Sequence, residues 1–85
     1  MDISVEISYY PLADNYLDRI ETFIQQLRKY PSVKVITNGM STQIFGTYDE
    51  VMHILQQELK QAMLEPHAVF VLKVVNARCD SYTPR

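Results

Sequence analysis

The dipeptide Asn38-Gly39, set between two short runs of alternating character, constrains this chain more than any other feature. Asn-Gly readily supplies the two positive-φ residues of a two-residue hairpin. It predicts a turn joining a strand over residues 33–37 to a second strand over residues 40–46. Any fold for the chain must therefore carry a tight antiparallel pair at its middle.

The segments on either side have clear periods. In residues 2–9, Ile3, Val5, Ile7 and Tyr9 fall on one face and Asp2, Ser4, Glu6 and Ser8 on the other, as in a half-buried strand. Pro11 ends that strand by removing a backbone donor. Asp14 or Asn15 can cap the next element, and Asn15 with Asp18 approximates a capping box. Leu17, Ile20, Phe23, Ile24, Leu27 and Tyr30 then recur at helical spacing, while Asp18, Arg19, Glu21, Gln25 and Arg28 supply a wet face. Pro31 stops this helix at Tyr30.

After the hairpin, Thr47-Tyr48-Asp49-Glu50 reads as a second capping box, with Thr47 capping and Glu50 reaching back. Val51, Ile54, Leu55, Leu59, Ala62 and Met63 form the stripe of a second helix, which Pro66 closes. Residues 68–75 make a last strand, apolar on both faces, as a strand covered on both sides should be.

The order strand-helix-strand-strand-helix-strand, with right-handed crossovers, gives one α+β domain of the ferredoxin-like kind. Its antiparallel sheet has strand order 4-1-3-2, with both helices on one face. Residues 1–85 form a single domain, with a core over 2–77 and a loose tail over 78–85. With helices on one side only, Val69, Val71 and Val75 face water. That surplus apolar face predicts a homo-oligomer, a dimer or tetramer. Gly46 lets its strand approach the second helix closely.

Composition narrows the function. Eight basic and ten acidic residues are scattered and leave a formal charge of -2, so the basic stripe of a nucleic-acid binder is missing. No segment has the ~20 apolar residues of a membrane span. The first residues lack the features of a signal peptide, which makes the cytoplasm the expected location. Cys79 is the sole cysteine and reads as an incidental thiol. His53 and His67 lack partners at ligand spacing, so no metal site or cofactor is expected.

No pair of reactive side chains is visible, and no catalytic residue is assigned. Gly39 and Gly46 do not form a phosphate loop. Glu6, the sole carboxylate within a strand interior, calls for Lys73, a tyrosine or a cationic ligand as partner if its face is buried. Thr37, Met40, Ser41 and Thr42 remain. Alternation turns Thr37 and Thr42 toward the apolar layer at the hairpin end. There they either bond local groups or orient a flat polar ring in a small pocket, with Tyr9, Tyr10, Phe45 and Tyr48 as aromatic walls.

Glu6-Ile7-Ser8, Tyr10-Pro11-Leu12, Tyr30-Pro31, Thr37-Asn38-Gly39-Met40-Ser41-Thr42, Phe45-Gly46-x-Tyr48-Asp49 and Val69-Phe70-Val71-Leu72-Lys73 together resemble the thiamine-binding, YkoF-like family over about residues 2–77. The resemblance implies a ferredoxin-like domain that assembles as dimers or tetramers. It further implies non-enzymatic binding of thiamine or its hydroxymethylpyrimidine part in uptake or salvage. Carried onto this chain, the ligand-binding residues are Ser8, Thr37, Asn38, Met40 and Thr42, with Glu6 and Tyr48 beside them. The alternative is a structural or regulatory homo-oligomer whose pocket is vestigial or takes a different ligand.

Overall fold

A computed structural model of the chain describes residues 1–81. Its elements are β1 (Asp2–Pro11), α1 (Tyr16–Leu27), β2 (Lys34–Thr37), β3 (Thr42–Thr47), α2 (Tyr48–Ala62) and β4 (Ala68–Val75). One four-stranded sheet has the order β2-β3-β1-β4, with every neighbouring pair antiparallel. This is the expected ferredoxin-like topology, with β1 and β3 central and β2 and β4 at the edges.

The alternation of β1 sets the core. Ile3, Val5 and Ile7 are buried on the inner face of the sheet, with Ile44 of β3 beside them. Phe23 and Leu27 of α1 and Val51, Ile54 and Leu55 of α2 close over that face. Thr47 caps α2 as its sequence predicts, its Oγ1 accepting from Glu50 N at 3.4 Å. Glu50 does not complete the box. Its carboxylate accepts from Ser32 Oγ at 3.1 Å and so fastens the loop before β2. Gly46 admits the close approach expected of it: a Cβ there would lie 2.9 Å from Val33 Cγ1 and 3.3 Å from Val51 Cγ2.

Several helical expectations are corrected. The first helix ends at Leu27, three residues before Tyr30, and passes into turns at Arg28 and Lys29. Tyr30 still serves the core, and its hydroxyl donates to Glu58 Oε2 at 2.6 Å, tying the exit of α1 to α2. Asn15 stands at the N-cap without a side-chain cap bond. Leu17 is exposed in the first turn of α1, where Tyr16 and Ile20, not Leu17, line the hollow. Met63 is exposed too, one residue past the end of α2.

Arg19 departs furthest from its expected place on the wet face and is 8% exposed. Its guanidinium donates to the Glu65 carbonyl at 2.6 Å, with the Glu65 carboxylate 3.8 Å away. The apolar stem can pack between the helices while its head satisfies a carbonyl of the segment leaving α2.

Strand β4 is covered less than its composition suggests. Val69, Val71 and Val75 are exposed on the outer face, and Leu72 and Val74 are also exposed on the helix side. The chain after β4, expected to be loose from residue 78, is tied down at its start. Ser4 Oγ donates to the Ala77 carbonyl at 2.6 Å and accepts from Cys79 N at 2.9 Å. Asp80 pairs with Arg78 at 2.9 Å and with Lys34 of β2 at 3.4 Å. The Arg78 guanidinium, foremost through this hydrogen bond, holds the Asp80 carboxyl below its ordinary range. This strap crosses the outer face beside Phe45, which is buried although it points away from the helices. The remainder of the expected tail, residues 82–85, lies outside the described residues.

Candidate ligand-binding site

The hairpin that opens the sequence argument forms with a different turn. Thr37 pairs with Thr42, so the connection has four residues, 38–41, and the third strand starts at Thr42 instead of Met40. No residue among those described has a positive φ, so the two-residue Asn-Gly turn is not adopted. The Asn38 side chain organises the turn instead. Its Oδ1 accepts from Met40 N at 2.8 Å and Ser41 N at 3.2 Å, while Asn38 N donates to the Ser41 carbonyl at 3.1 Å. An Asx-type side-chain turn of this kind reverses the chain without left-handed backbone.

At the foot of the loop, Thr37 Oγ1 and Thr42 Oγ1 are 2.8 Å apart. Two hydroxyls together offer two donors and four acceptor sites, and their mutual bond uses one of each. One donor and three acceptor sites remain, which suits a heterocycle carrying both ring nitrogens and an amino group.

These hydroxyls border a hollow of about 450 Å³ at the hairpin end of the sheet. One side is the end of β1, from Ile7 to Pro11, and the opposite side is α1 through Tyr16, Ile20, Phe23 and Ile24. The loop 38–41 forms the rim, with the Met40 side chain 89% exposed. Tyr9 is held firmly. Its ring stacks on Phe70 with centroids 4.3 Å apart, and meets Phe23 edge-on at 5.4 Å.

Five of the seven residues expected at the site, Ser8, Thr37, Asn38, Met40 and Thr42, meet around this hollow. Ser8 joins them because it lies one residue past the last β1–β3 pair, Ile7 with Thr42, where the loop begins. The other two stand elsewhere. Tyr48 begins α2 at the opposite end of β3, its backbone N–H bonded to the Met1 carbonyl. Glu6 is on the outer face, opposite Gln43 and Lys73, with its carboxylate 3.5 Å from Lys73 Nζ. Of the expected aromatic walls, Tyr9 and Tyr10 border the hollow and Phe45 does not.

A pocket between sheet and helices is what the sequence leads one to expect, and the structure supplies its α1 residues. Tyr16, Ile20, Phe23 and Ile24 fall at i, i+4, i+7 and i+8, one helical face, and that spacing was the available signal. A smaller cleft of about 210 Å³ lies between the helices around Arg19, with Asp18, Glu58 and Glu65 on its walls. Among the described residues no cluster of three or more His, Cys, Asp or Glu could hold a metal. Among the described residues no helix is long and apolar enough to cross a membrane.

The profile of the YKOF-related family matches residues 2–80, and the chain belongs to that family. Its members are non-catalytic small-molecule-binding proteins related to thiamine and hydroxymethylpyrimidine salvage. Among solved structures, protein SP2199 from Streptococcus pneumoniae superposes with a TM-score of 0.84 at 23% identity, covering 95% of this chain and 92% of that one. The hypothetical protein MJ1052 from Methanocaldococcus jannascii gives 0.76 at 24% identity, covering 96% and 87%. TM0486 from Thermotoga maritima, assigned provisionally to thiamine biosynthesis or salvage, gives 0.78 at 16% identity, covering 87% and 82%. At these identities the likeness establishes the fold. No curated protein matches the chain significantly.

Proposed function

We propose that this protein binds a small heteroaromatic of the thiamine group, thiamine itself or its hydroxymethylpyrimidine part, in the hollow at the hairpin end, and serves its cytoplasmic uptake or salvage. The observation that carries this reading is the Thr37–Thr42 hydroxyl pair facing a hollow with aromatic walls. Ligand sites combine this kind of apolar enclosure with a few fixed polar groups, at about 300–1,000 Å³. Tyr9, Tyr16 and Phe23 offer ring faces and edges, and Met40 is free to fold over a bound ring. Among the described residues no charged side chain borders the hollow, which favours the neutral pyrimidine over the cationic thiazolium of intact thiamine.

Calorimetric titration with hydroxymethylpyrimidine and with thiamine tests the proposal. Saturable binding that weakens in Thr37→Ala and Thr42→Ala supports it, and no saturation by millimolar ligand contradicts it.

Homo-oligomeric assembly is the second part of the reading. The exposed outer face of β4 favours it, because Val69 and Val71 form an apolar patch beside Tyr10 of β1, with Val75 beyond Lys73 on the same face. Should assembly persist with no ligand bound under any condition, the structural or regulatory alternative takes precedence.

A further inference from the structure

We infer that Glu6 is a positioning residue for the hollow, acting from the opposite face of the sheet through Ser41; the inference rests on the binding reading above. Ser41, the last residue of the loop, and Thr42, the first of β3, turn their side chains to opposite sides of the sheet. Thr42 turns to its partner Thr37 at the hollow. Ser41 turns to the outer face, where its Oγ donates to Glu6 Oε2 at 3.0 Å.

The remaining hydrogen bonds of residues 38–41 among the described residues are internal to the loop, made by the Asn38 carboxamide and the Asn38–Ser41 backbone pair. Ser41 to Glu6 is therefore the side-chain bond that fastens the rim to the body of the sheet. Its acceptor is a carboxylate, which makes it stronger than a bond between neutral groups. Lys73 adds little, because it sits 3.5 Å from Glu6 with its side chain 74% exposed. A rim ordered before binding loses less freedom when the ligand arrives. Glu6 thus assists recognition without touching the ligand, and its position in a strand interior acquires a use.

The test is a double-mutant cycle on the full chain, with hydroxymethylpyrimidine as the probe. Glu6→Ala and Ser41→Ala are each expected to weaken binding by about tenfold. The double variant should be no weaker than the weaker single, because both remove one link. Glu6→Gln, which keeps an acceptor, should recover part of the loss, and Lys73→Met should leave affinity as it was. Amide exchange at Met40 and Ser41 should accelerate in both single variants without ligand. Losses that multiply to about a hundredfold, or wild-type exchange rates in Glu6→Ala, would overturn the inference. Absence of saturable binding by the wild-type chain would instead remove the binding reading, and the exchange rates would still decide whether Glu6 orders the rim.

Discussion

Thr37 and Thr42 form the last pair of the β2–β3 ladder, and their hydroxyl oxygens are 2.8 Å apart at the edge of the hollow. Thr42 is 7% exposed, although strand positions beside it carry the apolar core residues Ile44 and Ile7. A buried hydroxyl in that setting needs a partner, and Thr37 provides it. The pair is satisfied without a ligand and still has bonding capacity to spare.

Replacing either hydroxyl therefore has two separable effects. Thr42→Val leaves Thr37 without its partner and should lower stability by about 1 kcal/mol. The same change should weaken hydroxymethylpyrimidine binding by roughly tenfold, the equivalent of one hydrogen bond. Denaturant unfolding and calorimetry, run on the same variants, check both effects.

The two glycines should respond oppositely. Gly46→Ala places a methyl against Val33 and Val51, whose branched side chains have little room to yield, and should cost about 1–3 kcal/mol. Gly39 has open space and no positive φ, so Gly39→Ala should be neutral or stabilising by about 0.4–1 kcal/mol. An ordinary Asn-Gly turn would predict the reverse for Gly39, so thermal unfolding of this variant also tests the side-chain turn.

That turn illustrates what the sequence disclosed and what it withheld. Residues 2–9 fixed their own inward face by alternation, and Thr47 announced its cap because both features depend on near neighbours alone. Asn38 was legible as a turn residue, but whether its backbone or its side chain makes the turn depends on how many residues the ladder leaves unpaired. Arg19 has the spacing of a surface residue, and only the return of the chain at Glu65 supplies the carbonyl that buries it. Likewise, the threonine side of the hollow follows from one hairpin, whereas its α1 wall requires the helix to be docked across the sheet.

The Tyr30–Glu58 bond makes stability sensitive to alkaline pH. The bond to Glu58 is the largest cause, with burial and the carboxylate's charge beside it, and together they raise the Tyr30 phenol above its ordinary 10.0. The neutral phenol is the form that the folded state prefers. Its contribution is therefore complete below the unfolded value and is lost as pH rises through the folded value. Tyr30→Phe should cost about 1 kcal/mol at neutral pH and flatten the alkaline decline, as measured by unfolding across pH 8–12.

The outer apolar patch of Val69 and Val71 predicts a change in assembly. Val71 is 57% exposed and stands opposite Ser8 in the β1–β4 ladder. A carboxylate introduced there should be tolerated by the monomer but costly at an interface that excludes water. Val71→Glu is expected to shift sedimentation to a smaller species with unchanged helix content. An unchanged size would remove this face from the assembly.

The most direct measurement is a backbone amide titration with hydroxymethylpyrimidine, followed residue by residue. The account predicts saturable shifts concentrated at 37–42, at Ser8 and Tyr9, and along Tyr16, Ile20 and Phe23, with Tyr48 unmoved. Saturable shifts centred instead on the Arg19 cleft, or none at millimolar ligand, would contradict it.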